Sequence, residues 1–127
     1  MKDFISYELA KKLENKGFDC DNNYGYNDKG DICVPVYNID EDQLMTMTPC
    51  PEIHEVLKWL REEKKIFIEI ALSPDGYQHI IYTGLYCMAT SCAYHFTFDG
   101  FYRIEDNYIT YEQAAIAGIE YVVNNLI

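Results

Sequence analysis

The chain has 127 residues, 49% of them apolar, and a net charge of −11 from 10 basic and 21 acidic groups. That length suits a single α+β domain with its own core, the apolar content argues against disorder, and no apolar run approaches the roughly 20 residues of a membrane span. Charge of this sign repels phosphate backbones and argues against nucleic-acid binding; it favours solubility, or a basic protein as partner.

Met1-Lys2-Asp3-Phe4-Ile5-Ser6-Tyr7-Glu8 reaches an acid at once and has no apolar core of its own. A cytoplasmic location is therefore expected, with the five cysteines (Cys20, Cys33, Cys50, Cys87, Cys92) as reduced thiols, several of them buried. Twelve tyrosines supply stiff amphipathic contact area, used both in sheets and at interfaces.

The first predicted helix opens at Ser6, a good N-cap, with Glu8 in the first turn where the helix dipole favours an acid. Ile5, Leu9, Ala10 and Leu13 make its buried stripe, and Gly17 stops it as a C′ residue, with Phe18 following. The loop after it holds Asp19, Asp21 and Asn23 at the odd spacing of a calcium loop. Tyr24 sits where that loop needs its turn glycine, and Gly30 where it needs its bidentate glutamate, so this is an Asx-rich turn. Tyr24 and Tyr26 flank Gly25 and are candidates for exposure.

Ile32-Cys33-Val34-Pro35-Val36-Tyr37 reads as a strand, placed at a sheet edge by the missing donor of Pro35. The organising stretch is residues 52–73. Ile53, Val56, Leu57 and Leu60 recur at helical spacing; Ile66, Ile68, Ile70 and Leu72 then alternate along a strand. Pro74-Asp75-Gly76 is a turn, and residues 77–84 return as a strand that is apolar on both faces and so central. Asp99-Gly100 between aromatic runs predicts a type I′ hairpin, with Phe98 opposite Phe101 and Thr97 opposite Tyr102. The last helix opens at Thr110, with Gln113 in the capping-box position. Its apolar arc, from Ala114 to Ile127, is wide enough for a second covered face, which suggests a protein partner or a homo-oligomer. The sum is an α+β fold: an antiparallel sheet of three to five strands, three helices mostly on one face, in the order α-β-α-β-β-β(β)-α.

The helix, three strands and helix of the second half have the order of a double-stranded-RNA-binding domain. Such domains reach phosphates with basic residues, and this chain is acidic. A broader likeness rests on Tyr7-Glu8-x-Ala10, Lys16-Gly17-Phe18-Asp19, Pro51 followed by Glu55-Val56-Leu57-Lys58-Trp59-Leu60-Arg61-Glu62, and Tyr111-Glu112-x-Ala114 with Gly118-Ile119-Glu120. In these the chain resembles a family of small proteins of gut bacteria and their mobile elements that has no established activity. The shared residues are helix caps and core positions, so the resemblance implies a common fold and no chemistry. Glu52 departs from the threonine expected there, which bears on the helix cap alone.

For chemistry, Cys87 and Cys92 are the only closely spaced cysteine pair, and His95 lies three beyond Cys92. Structural zinc needs a second matched pair, and none is present; His54 and His79 are the other histidines, and His79 and His95 are candidates for neighbours across a sheet. Cys92 with His95 as nucleophile and base fails in a strand, where an offset of three puts them on opposite faces. No glycine-rich phosphate loop or zinc-protease or serine-hydrolase motif is present. No catalytic, cofactor-binding or metal residue is assigned, and no cofactor. The leading expectation is a protein–protein interaction or accessory module without catalysis. The alternatives are an acidic decoy that imitates nucleic acid, and an enzyme or zinc-site protein using Cys87, Cys92 and His95.

Overall fold

The computed structural model describes residues 4–19, 24–27, 29–30, 33–35, 48–84, 86–89, 94–97, 100–103 and 107–127. It is α+β, with three helices, two three-stranded antiparallel sheets and one further antiparallel strand pair among these residues. The chain divides into two compact units, Met1–Glu55 and Val56–Ile127. No helix of the described residues is long and apolar enough to cross a membrane.

In the first unit, α1 spans Tyr7–Asn15. The Ser6 hydroxyl accepts the Leu9 N–H at 3.3 Å, satisfying one of the donors a helix start leaves unpaired. At the other end Gly17 has φ +92°, the Phe18 N–H reaches the Leu13 carbonyl, and the Gly17 N–H reaches that of Glu14. These two bonds make a Schellman stop, as Gly17 predicts. Ile5, Leu9, Ala10, Leu13 and Phe18 are buried. Three short strands form one sheet in the order β2-β1-β3: β1 is Tyr24–Tyr26, β2 Cys33–Pro35 and β3 Thr48–Pro49. Pro35 thus lies on an edge strand, as its missing donor requires. Among the described residues three strands, rather than one, precede the second helix.

Helix α2 spans Ile53–Glu63, and the division between the units falls in its first turn. In the second unit β4 (Phe67–Ser73), β5 (Gly76–Thr83) and β8 (Gly100–Arg103) form a sheet in the order β4-β5-β8. The strand at residues 77–84 is central, as its two apolar faces predict. β6 (Tyr86–Ala89) and β7 (Tyr94–Thr97) pair with each other.

The expected hairpin at Asp99-Gly100 would put Thr97 opposite Tyr102, and these two residues do not pair. Thr97 pairs with Tyr86 in one sheet, while Tyr102 pairs with Ile81 and Phe101 with Tyr82 in the other. Both pairings keep one antiparallel register, so residues 94–97 and 100–103 run along residues 86–89 and 80–83 and do not pair with each other. The aspartate-glycine preference is local, and the pairing of β8 with the central strand β5 overrides it. Phe98 and Asp99 lie outside the described residues.

Helix α3 (Tyr111–Asn125) packs on β4 and β5. Thr110 Oγ1 accepts the Gln113 N–H at 3.1 Å, and Gln113 Oε1 accepts the Ile109 N–H at 3.2 Å. This is the reciprocal capping predicted at Thr110, shifted by one residue on its return bond. Ala114, Ala115, Gly118, Ile119, Val122 and Val123 are buried. Their spacing is one helical stripe, and Gly118 lets the helix backbone approach the sheet: a Cβ there would lie 3.0 Å from Ile68 Cγ2. Ile116, Ala117, Leu126 and Ile127, on the remainder of the arc, are half-buried.

Candidate functional site

The β4–β5 register places Ile68 opposite Ile81, Ile70 opposite His79 and Leu72 opposite Tyr77. These pairs share one face of the sheet, and α3 covers its middle: Ile68, His79 and Ile81 are buried. The helix begins beside Tyr77, whose ring meets that of Tyr111 edge to face at 6.4 Å. Beyond that start the cover ends. Leu72 is 73% exposed, Tyr111 45% and Ile109 85%.

Tyr77 joins these residues. Its backbone exchanges two 2.8 Å hydrogen bonds with Tyr108, which fixes the 108–109 segment on the side of β5 away from β4. The Gln78 side chain donates to Asn107 at 3.0 Å and holds the same segment. Ile109 occupies the position before the N-cap, where an apolar side chain normally folds onto the helix at the fourth residue, here Ala114. Ala114 is fully buried, yet Ile109 stands in solvent. A large apolar side chain held out by an ordered backbone is more informative than an isolated exposed leucine.

In the first unit, Glu52, His54 and Glu55 bring one imidazole nitrogen and two carboxylate oxygens within 4.8 Å of one another. His54 Nε2 lies 3.8 Å from Glu52 Oε2, and the His54 side chain is 75% exposed. One nitrogen and two oxygen donors suit a divalent transition metal. The position opposes one: the first turn of α2 presents the positive end of the helix dipole, which stabilises the two carboxylates and repels a cation. Acids at a helix start are commonplace, so nothing in the sequence marks this group.

Cys87 and His95, singled out from sequence, lie on the paired strands β6 and β7. Cys87 is in β6 opposite Phe96, and His95 is in β7 opposite Met88, so the two are one register position out of step. Cys92 lies outside the described residues. His79 and His95 belong to different sheets, which corrects the expected juxtaposition; His79 is instead buried and stacked on Tyr108, with ring centroids 5.8 Å apart.

Tyr24 and Tyr26 are half-buried rather than exposed. Tyr24 packs against Phe4 and Tyr26 against Tyr7, and the Tyr26 hydroxyl donates to the Ile5 carbonyl. Burial raises the Tyr26 phenol above its ordinary value. Tyr37 lies outside the described residues, as do Asp21 and Asn23. The Tyr82 hydroxyl donates to Glu69 at 2.9 Å, and that bond to a carboxylate raises the phenol's pKa, with burial and the nearby charge adding.

Cys50 overturns the expectation of reduced thiols throughout. It is fully buried and disulfide-bonded. The odd number and wide spacing of the cysteines argued for thiols, but spacing does not report which sulfurs meet in space. Comparison with protein-family models, with curated proteins and with solved structures finds no match to this chain.

Proposed function

We propose that this chain is a non-catalytic protein-interaction module that docks a protein partner, or a second copy of itself, through the end of the β4–β5 sheet. The observation that carries the reading is the group of Leu72, Ile109 and Tyr111, all exposed around Tyr77. Apolar side chains held on a strand end, a bridged segment and a helix start form a preorganised surface, which lowers the ordering cost of association. The outer arc of α3 is half-buried at Ile116 and Ala117 and contributes less. The likeness to small proteins of gut bacteria and their mobile elements belongs to this reading as a shared fold.

The competing reading, an acidic decoy, rests on the net charge of −11. One experiment separates the two. The chain is used to capture partners from lysate of its native host, eluted in salt steps, beside light scattering of the purified chain. An apolar interface survives high salt, whereas a charge-driven complex is released at moderate salt. Leu72→Asp with Ile109→Asp should abolish the salt-resistant association and leave the fold intact. Equal capture by the double variant would overturn the assignment.

A further inference from the structure

We propose that the first unit is held by a redox-sensitive disulfide at Cys50, that its partner is a cysteine other than Cys33, and that reducing it loosens this unit. The register carries the exclusion. Cys33 in β2 and Thr48 in β3 both face Tyr26, from opposite sides of β1. Cys50 lies two residues beyond Thr48, and its N–H reaches the Tyr24 carbonyl at 3.1 Å. Cys33 and Cys50 are therefore two strand spacings apart, about 9.5 Å, and also offset along the strands by about 6.5 Å. A disulfide spans at most about 7 Å between Cα atoms. Cys33 is out of reach.

The position of Cys50 explains why the bond matters. On one side its N–H closes the β1–β3 pairing; on the other the carbonyl of the next residue, Pro51, accepts the Ile5 N–H at 3.1 Å just before α1. A cross-link at Cys50 restrains both of these pairings by limiting the unfolded chain.

Opening the bond is a balanced two-electron step. A dithiol's thiolate attacks one sulfur, the S–S bond breaks, and the other sulfur leaves as a thiolate that takes up a proton. The dithiol's second thiol then displaces the first protein sulfur, which is also protonated, and the reductant closes to its own disulfide. A reducing cytoplasm supplies such dithiols and an oxidising compartment does not, so the surroundings select the state. Because Cys50 is fully buried, the attack waits on an opening of the unit.

The test uses the whole wild-type chain, since Cys50→Ser alone could fail to fold. Peptide mapping of the chain, unfolded without reductant and with free thiols blocked, should find Cys50 cross-linked to a cysteine other than Cys33. A Cys33–Cys50 peptide, or five blocked thiols, would overturn the proposal. Hydrogen exchange with and without dithiothreitol should then show the Cys50 and Ile5 amides losing at least tenfold in protection, while the α3 amides, in the other unit, stay unchanged. Unchanged protection at Cys50 and Ile5 after complete reduction would also overturn it.

Discussion

Gly118 stands directly over His79: a Cβ at position 118 would lie 3.3 Å from His79 Cγ and 3.0 Å from Ile68 Cγ2. Both neighbours are buried in the sheet beneath the helix and have little room to withdraw. Gly118→Val should therefore destabilise the chain by about 2–3 kcal/mol through overpacking, despite valine's better helix propensity. Urea unfolding monitored at the helix would measure this; a variant as stable as the wild type would show that α3 sits farther from the sheet.

Thr110 and Ser6 each accept one backbone N–H at a helix start. Thr110→Ala and Ser6→Ala should each cost about 1 kcal/mol, with Ala unable to replace the lost acceptor. The two caps lie far apart in sequence and share no bond, so the double variant should lose the sum. Chemical denaturation of the three variants checks both statements, and a shortfall well beyond about 0.5 kcal/mol would reveal coupling.

Lys65, following α2, has φ +57°. A side chain in this left-handed conformation crowds the following carbonyl, at a cost of about 1–2 kcal/mol that glycine escapes. Glycine returns part of the gain through its freer unfolded chain, and the Lys65 ammonium's bond to the Glu62 carbonyl is exposed and weak. Lys65→Gly is therefore expected to stabilise the chain, by about 0.5–1 kcal/mol. A fall in the thermal midpoint would contradict this.

Burial holds the Tyr26 phenol above its ordinary value of 10.0. The folded state thus keeps this proton more tightly than the unfolded state. The group's contribution is whole below the ordinary value and is lost as pH rises through the raised folded one. Ionisation also removes the hydrogen donated to Ile5. Denaturant unfolding at about pH 9 and pH 11 should show the wild type losing more stability across that interval than Tyr26→Phe, which has no proton to lose. Parallel losses would mean that Tyr26 is not protected by the fold.

Much of the local architecture was legible in the residues themselves. Ser6, Gly17 and Thr110 act on backbone groups within five positions, so a cap or a stop can be read without knowing what lies across the molecule. The alternation from Ile66 to Leu72 and the two apolar faces of residues 77–84 likewise announced a strand and its central neighbour, because a strand's faces repeat along the chain.

Tertiary structure alone decided the rest, since each remaining feature depends on residues far apart in sequence. Asp99-Gly100 carries a strong turn preference, yet β8 pairs with β5 and Thr97 does not pair with Tyr102. Leu72 has the pattern of a core residue and is exposed because α3 begins beside Tyr77 and leaves the sheet end uncovered. Cys50 looks no different in sequence from the other four cysteines; only its place between β1 and the segment before α1 gives its disulfide a structural role. Periodicity and capping state what each segment prefers. Which segments meet is settled by competition among all of them for the same buried surface, and no single stretch contains that outcome.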